Sequence, residues 1–463
     1  MSPPAPAGSA AHRAAAIVWF QQDLRLRDNP ALHAAASSAR AVVPIYIWAP
    51  EQDGDWAPGA ASRWWLHYSL QALDAGLRER GSRLLIVRGP PLQALRRVAA
   101  QTGATEVCWN NRYEPAAREC ARTVAAGLLR SGLEVRTFNG ALLVEPAEAL
   151  NESGKPYRVY TAFLRKLLRF ANPSTPLPIP RDLPPPGQWP KSRTVDSLRL
   201  LPKIRWDEGL ANSWTPGEAS AHRTLRRFVS TRIADYRRAR DMPAVRGTSA
   251  LSPHLHFGEI GPRQVWHALG AKGRASVFLR ELVWREFAYH LLHHFPHTAT
   301  EPLRPEFKRF PWKRSAAALR AWQHGRTGIP LVDAGMRQLW STGWMHNRVR
   351  MVVASLLVKN LLVPWQEGAR WFWDTLVDAD LANNTLNWQW VAGCGADAAP
   401  YFRVFNPLTQ AERFDPDGAY VRRWVPELES GNSYPEPILD LKASRERALD
   451  AYHNMRRTPG LKA

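Results

Sequence analysis

Five short runs rich in β-branched and aromatic residues alternate with helix-like stretches in the first third of the chain. The runs are AIVWF, VVPIYIW, RLLIV, TEVCW and EVRTF, and segments such as SRWWLHYSLQALDAGLRER separate them between Ala14 and Phe138. This alternation predicts an α/β fold, a doubly wound parallel sheet with helices on both faces. The glycine-rich fingerprint GxGxxG is absent after the first run, where WFQQDLRLRDNPAL stands instead, so a hydride-transferring NAD domain is disfavoured.

The chain changes character twice after this region. Residues 140–217 are rich in proline, with NPSTPLPIPRDLPPPGQWP at their centre, which predicts an interdomain connection without helices or sheet ladders. After WTPGE the pattern becomes almost wholly helical, which predicts an all-α C-terminal domain. We therefore expect a disordered tail at residues 1–13, an α/β domain at 14–139, the connection at 140–217 and a helical domain at 218–463.

The chain carries a large excess of positive charge. Its 463 residues include 62 Lys and Arg against 41 Asp and Glu, a formal net charge of +21. This excess favours a polyanionic partner such as nucleic acid, although the codon bias of a GC-rich genome would also raise the arginine count.

Cysteine usage and the N-terminus bear on the compartment. Cys108, Cys120 and Cys394 are too few for a disulfide framework or a four-thiolate cluster, so we expect a reducing environment and no metal. No apolar run reaches membrane-spanning length, and MSPPAPAGSAAHRAAA lacks the hydrophobic segment of a secretory signal. We expect a cytoplasmic, nucleoid-associated bacterial monomer. An organellar transit peptide is the alternative, because the tail contains Ser and Ala and no acidic residue.

Two parts of the helical region place polar side chains among apolar ones. Between Trp344 and Asn406, carboxylates, amides and guanidinium groups lie in segments that resemble core, and they require partners or a bound molecule. In FLRELVWREFAYHLLHHFP, the residues Glu281, Trp284 and Arg285 share one helical face, which suits a flat polar ligand. An amphipathic helix with a local ion pair would show the same spacing.

Two further patterns fit a charged ligand. The run RGTSALSPHLHFGEI supplies hydroxyls and backbone N–H groups just before a predicted helix, where a phosphate fits and where ordinary helix caps are also common. Asp378 and Asp380 flank Ala379 and require nearby cations to remain ionised, and Arg350 is the natural partner. A structural salt bridge is compatible with a ligand site at the same place.

Six segments, in order, resemble the DNA photolyase and cryptochrome family. They are WFQQDLRLRDNPAL, GTSALSPHLHFGEI, ELVWREFAYHLLHHFP, AWQHGRTGIPLVDAGMRQLWSTGWMHNRVRM, DADLANNTLNWQWVAGCGADAAPYFRVFNP and FDPDGAYVRRWVPEL. The resemblance implies an antenna α/β domain joined to a helical domain that holds a U-shaped FAD. The implied FAD contacts are Tyr236, Thr248, Ser249, Ala250, Leu251, Ser252, Arg285, Arg350, Asp378, Asp380 and Asn384.

The same resemblance implies roles for three tryptophans and for a substrate pocket. Trp388, Trp365 and Trp312 match an electron relay from the surface to the flavin, and Asn384 would face flavin N5. The implied pocket for a flipped cyclobutane pyrimidine dimer consists of Glu281, Trp284, Asn347, Arg348, Met351, Trp390 and Arg403. The implied catalytic set is Glu281, Asn347, Asn384, Trp312, Trp365 and Trp388.

These residues imply blue-light-driven repair of damaged DNA. Reduced, anionic FAD would donate an electron to the dimer and recover it after ring splitting, and Arg348 and Arg403 would grip phosphates. The segments GAASRWWLHYSL and WTPGE are similar to class III photolyases, and class I is the alternative. The competing functions are a cryptochrome-like photoreceptor and a dark electron-transfer flavoprotein.

Several positions depart from the family pattern. Gln21 and Gln22 replace a basic pair, and Asn387 replaces a glycine that would serve a positive φ or a close approach to the flavin. Ala116 and Ala117 stand where an Asn-Glu pair often contacts a folate antenna. We expect methenyltetrahydrofolate as the antenna, bound elsewhere in the α/β domain.

Overall fold

The N-terminal region forms a five-stranded parallel sheet with the order β3-β2-β1-β4-β5. The computed structural model describes residues 14–170, 173–270, 277–398, 402–430 and 433–457, so the predicted tail at 1–13 lies outside it. The strands are β1 (Ala15–Phe20), β2 (Val42–Trp48), β3 (Leu85–Arg88), β4 (Ala104–Asn110) and β5 (Glu134–Phe138). All five predicted strands are confirmed, and the order is that of a doubly wound sheet.

Both faces of the sheet are buried, as the apolar strand sequences require. Along β1, Val18 and Phe20 point to one core, whereas Ile17 and Trp19 point to another on the opposite face. Because successive side chains of a strand alternate between faces, a run without polar residues needs a cover on each side. The covering helices are α1 (Pro30–Ser38), α2 (Ala60–Arg78), α3 (Pro91–Thr102) and α4 (Pro115–Arg130).

The proline-rich connection contains helices, which corrects the expectation that it has none. Its described residues include the α-helices α5 (Tyr160–Phe170) and α6 (Glu208–Ser213). The prolines cluster after α5, whereas YTAFLRKLLRF is free of them and buries Phe163 and Leu167 on one face. Averaging composition over the whole segment hid this amphipathic stretch.

The C-terminal region is helical throughout its described part. Its α-helices are α7 (Glu218–Thr231), α8 (Tyr236–Ala239), α9 (Ser252–His256), α10 (Pro262–Ala268), α11 (Val277–His294), α12 (Ala316–Gln323), α13 (Pro330–Thr342), α14 (Asn347–Ser355), α15 (Trp365–Thr375), α16 (Leu381–Ala392), α17 (Pro407–Phe414), α18 (Ala419–Trp424) and α19 (Leu441–Arg457). A π-helical turn at Leu356–Asn360 continues α14. The predicted fold class, an α/β domain followed by a helical domain, is therefore confirmed.

Buried polar contacts join the two regions. Arg25, 1% exposed, donates to the carbonyl of Gly258 at 2.9 Å, and the Trp65 indole donates to Glu259 at 3.0 Å. Glu259 is fully buried and also pairs with His254. Such contacts fix the relative placement of sheet and helices, since an unpaired buried charge would be strongly destabilising. Among the described residues, no helix is long and apolar enough to cross a membrane.

Candidate active site

A cavity of about 520 Å³ opens between α11, α14, α15 and α16. Five of the seven residues predicted to hold the DNA lesion lie on its wall. They are Glu281, Trp284, Asn347, Met351 and Trp390. The structure therefore brings together side chains that are more than one hundred positions apart in the sequence.

Helical periodicity explains how these residues reach one space. Glu281 and Trp284 are three residues apart on α11, and Asn347 and Met351 are four residues apart on α14, so each pair shares a helix face. His346 caps the start of α14 by accepting a hydrogen bond from the Arg348 backbone at 3.2 Å. Burial lowers the pKa of His346 to about 4, so the cap stays neutral at pH 7.

A second group on the same wall consists of predicted flavin contacts. Arg350 places Nη2 at 3.1 and 3.0 Å from the two carboxylate oxygens of Asp378, and its Nε donates to the carbonyl of Met345 at 2.7 Å. The Asn384 amide nitrogen donates to the carbonyl of Ala369 at 3.1 Å. That bond leaves the Asn384 carbonyl oxygen as the acceptor available to a ligand.

Arg285 does not line this cavity, although the sequence pattern placed it on one face with Glu281 and Trp284. Its side chain turns into the protein, donates to the carbonyl of Ala141 at 2.9 Å and lies 4.7 Å over the Tyr289 ring. The i+4 spacing was compatible with a shared face, but packing against the connection drew the guanidinium inward.

Asp380 lies in the same interior region as Arg285. Its carboxylate caps α16 by accepting from the Asn383 backbone at 2.8 Å, and it accepts a hydrogen bond from Tyr289. Burial opposes ionisation, but His256, Arg285 and Tyr289 together lower the pKa of Asp380, so it is a carboxylate at pH 7. The interior thus holds a fixed negative charge beside a fixed positive one.

The predicted phosphate-binding run lies beside a cluster of arginines that sequence analysis missed. Arg232 donates to the carbonyl of Thr248 at 3.3 Å. Burial and the neighbouring cations Arg227 and Arg246 lower the pKa of Arg232, which indicates a local excess of positive charge. Ala250 has a φ of 56°, a strained conformation of a kind that is concentrated at ligand sites.

The remaining members of the predicted flavin set are Tyr236 and further residues of the run itself. Tyr236 is buried against Phe228 and Phe278, with ring centroids 5.5 and 5.3 Å away. Ser249 accepts a hydrogen bond from the Leu251 backbone at 3.3 Å, and Ser252 begins α9. These residues do not line the 520 Å³ cavity.

The three predicted relay tryptophans belong to one hydrophobic cluster. Trp388 and Trp365 are each 2% exposed, whereas Trp312 is half-buried against the Phe310 ring at 4.5 Å. Trp388 also lines the cavity and packs edge-on against Phe372 at 5.0 Å. Trp388 therefore lies at the cavity wall, Trp365 is enclosed in the core and Trp312 is partly exposed.

Arg348 and Arg403 lie away from the cavity wall. Arg348 pairs with Asp241 at 2.7 Å and lies 4.4 Å over the Phe414 ring, and Arg403 is exposed. Both remain candidates for phosphate contacts outside the pocket.

Arg240 lines the cavity, although no sequence pattern distinguishes it from its neighbours. Its guanidinium pairs with the Glu281 carboxylate, and Glu281 contributes to raising the pKa of Arg240 against the opposing effect of burial. Arg240 belongs to the arginine-rich run YRRARD, and only the fold distinguishes it from its exposed neighbours.

The Asn387 departure is compatible with the backbone. Asn387 lies inside α16, has no positive φ and donates to the carbonyl of Asn383 at 2.8 Å. It also lines the cavity, so its effect on a ligand would come from side-chain volume alone.

A second cavity of about 310 Å³ lies where the sheet meets the helices. Gln21 and Gln22 line it, together with Ala116 and Ala117, so both groups of departures face one space. Buried donors on Gln21 and Trp56 have no hydrogen-bond partner there. Unsatisfied buried polar atoms are rare in proteins, and a polar ligand in this cavity would satisfy them.

Comparisons with known proteins agree with this architecture. Residues 16–183 match the DNA photolyase family, and residues 278–432 match the FAD binding domain of DNA photolyase. The deoxyribodipyrimidine photo-lyase of Agrobacterium fabrum is 46% identical over 473 residues, covering 96% of this chain and 98% of that protein. Cryptochrome-2 of Arabidopsis thaliana is 37% identical, covering 95% of this chain and 79% of that protein.

A solved structure gives the same result in three dimensions. The crystal structure of a bacterial class III photolyase from Agrobacterium tumefaciens superposes with a TM-score of 0.92 at 45% identity, covering 98% of this chain and all of that chain. A full-length match in both sequence and structure shows membership of the same family and not only a shared fold. The chain belongs to the DNA photolyase family, as its sequence motifs predicted.

Proposed function

We propose that this protein is a deoxyribodipyrimidine photo-lyase that uses blue light and FAD to split cyclobutane pyrimidine dimers in DNA. The observation that carries the proposal is the cavity of about 520 Å³, whose wall combines predicted lesion contacts with predicted flavin contacts. Electron transfer is faster over shorter distances, so a lesion held in the same cavity as the flavin is well placed to accept an electron. A full-length relative with this activity in its name supports the same assignment.

The residues present fit a flavin. Arg350, Asp378 and Asn384 would hold the isoalloxazine, and the Asn384 carbonyl oxygen would accept from a reduced N5–H. The cations around Arg232 would neutralise the pyrophosphate beside the Thr248–Ser252 run. When bound, reduced FAD supplies the light-driven electron. The protein's side chains would stabilise the charge of the bound flavin, orient its isoalloxazine ring and exclude water from it.

The other residues of the wall fit a pyrimidine dimer, in which two adjacent bases of one strand are joined. Trp284 and Trp390 would stack on the two fused pyrimidines, and Glu281 would accept hydrogen bonds from their edges. The two bases of a dimer have already lost much of their stacking and pairing. Extruding them from the duplex therefore costs less free energy than extruding two undamaged adjacent bases. Arg348 and Arg403 would contact phosphates at the rim, so affinity would fall with added salt.

We further propose that the 310 Å³ cavity holds the antenna chromophore, a methenyltetrahydrofolate, in place of the expected site away from Ala116 and Ala117, which line this cavity. Its aromatic lining suits a pterin ring, and the buried donors of Gln21 and Trp56 would find acceptors on such a ligand. The Ala116 and Ala117 positions would then provide room rather than hydrogen bonds. Reconstitution with folate should give an absorption band that Gln21→Leu weakens. An unchanged folate band in that variant would remove this placement.

A cryptochrome-like photoreceptor is the competing function, because plant cryptochromes are also close relatives. The predicted lesion-binding residues that line the cavity favour repair, since a photoreceptor requires the flavin but no pocket for a dimer. A lesion-binding site predicts that the protein splits dimers in light, whereas a signalling function predicts no reaction of DNA.

The deciding experiment is a repair assay with purified, pre-reduced protein and an ultraviolet-damaged thymine oligonucleotide. Under blue light the thymine absorbance should recover, whereas a dark control should not change. Trp390→Phe should lower repair, and Trp189→Phe, which changes an indole of the connection next to Arg83, serves as the matched control. Absence of light-dependent recovery in the unsubstituted protein would rule out the repair assignment.

A further inference from the structure

Trp284 has one aromatic face already occupied by the protein. The Tyr160 ring lies parallel to the Trp284 indole, with centroids 3.6 Å apart and an interplanar angle of 6°. Trp284 nevertheless lines the 520 Å³ cavity and is only partly buried. The indole therefore presents its other face to whatever enters.

Tyr160 is itself held firmly in place. It is 6% exposed, and its hydroxyl donates to the backbone carbonyl of Arg280 at 2.6 Å, on the same helix that carries Trp284. The Phe287 ring lies edge-on to both, 5.9 Å from Tyr160 and 5.8 Å from Trp284. The phenol thus closes the gap behind the indole and restricts the angle that the indole can take.

We propose that Tyr160 is a positioning residue for damaged DNA, which sets the plane of Trp284 and so favours an extruded pyrimidine dimer over undamaged DNA. This inference rests on the proposed function and adds a specificity determinant from α5, a helix of the connection between the two regions. A bound dimer would complete a three-layer stack of lesion, indole and phenol.

The physical basis is preorganisation. A side chain that is ordered before binding does not lose rotamer freedom when the ligand arrives. An aromatic stacking partner also contributes beyond its buried area, and losing it corresponds to about a 3- to 10-fold weaker affinity. Undamaged DNA does not enter the pocket, so its affinity should not change.

The test compares variants in darkness, using one oligonucleotide with a thymine dimer and the same sequence without it. Tyr160→Phe keeps the ring and should retain the preference for damaged DNA. Tyr160→Leu should weaken binding of the dimer about 3- to 10-fold while leaving undamaged DNA and FAD content unchanged. Phe163→Leu is the matched control, because Phe163 is a buried aromatic of the same helix whose ring packs against Tyr157, Phe287 and His290 instead of Trp284.

A double-mutant cycle separates positioning from general loss of stability. If Tyr160 acts through Trp284, Tyr160→Leu should cause no further loss of dimer affinity in a Trp284→Leu background. Additive losses, or equal effects of the Tyr160 and Phe163 substitutions on the affinity ratio, would overturn the inference. If the unsubstituted protein itself fails to prefer damaged DNA, the proposed function fails instead, so the two failures are distinguishable.

Discussion

Gly368→Ala is the substitution for which the structure gives the sharpest expectation. Gly368 lies on α15, and a Cβ atom there would be 2.1 Å from Cη2 and 2.6 Å from Cζ3 of Trp388. It would also be 2.7 Å from Cδ2 of Leu357, so two buried side chains would have to shift. Restoring ordinary van der Waals contact requires a relative shift of more than about 1 Å.

Two opposing terms set the stability change. Overpacking a core of this kind costs about 1–3 kcal/mol. Replacing glycine by alanine inside a helix stabilises it by about 1 kcal/mol. The net loss is therefore about 0–2 kcal/mol, and at about 2–4 °C per kcal/mol the melting temperature should fall by no more than about 8 °C. The protein should remain folded and retain FAD.

The functional effect should be larger than the effect on stability. Trp388 is the relay tryptophan on the cavity wall, so its displacement should slow the blue-light reduction of oxidised flavin in the presence of an external reductant. Repair by pre-reduced protein does not require the relay and should stay nearly normal. Flavin absorbance during illumination measures the first process, and recovery of thymine absorbance measures the second.

Gly335→Ala provides the matched control. A Cβ at Gly335 would also overpack the same cluster, at 2.5 Å from Val349 and 2.9 Å from Val353, but it approaches no relay tryptophan. This variant should lose stability and keep normal photoreduction. Normal photoreduction in Gly368→Ala, or an equal slowing in both variants, would refute the reasoning.

Three further predictions concern single groups. Trp388→Phe should slow photoreduction while leaving repair by pre-reduced protein nearly intact, and equal losses in the two assays would contradict the relay role. Asp380→Asn should cost about 1–3 kcal/mol in urea unfolding, because it removes the buried carboxylate that accepts the Tyr289 hydrogen bond and helps to balance the Arg285 charge; a loss below about 0.5 kcal/mol would count against this role. Burial lowers the folded-state pKa of His346 to about 4, so the unfolded chain binds more protons as pH falls from about 6.5 towards 4, and stability should decrease over that window. His346→Gln should flatten this slope, and an unchanged pH profile of urea unfolding would refute it.

Strand and helix patterns were readable from the sequence because they depend on neighbours in the chain. Val18 and Ile17 point to cores on opposite faces of the sheet, and a strand without polar residues predicts that arrangement. The α5 helix was missed because its amphipathic stretch lies next to prolines that dominated the composition. The pocket members Glu281 and Trp284 were identified by resemblance to a family, since their helical spacing fits an ordinary surface helix equally well.

Local sequence therefore determined the parallel sheet, the helical second half and the membership of a family with known site positions. Only the tertiary structure decided which side chains meet. It turned Arg285 inward, brought Arg240 to Glu281, and stacked Tyr160 behind Trp284 across more than one hundred residues of chain. The physical reason is that periodicity fixes the direction of a side chain relative to its own helix, whereas its partners depend on how distant helices pack.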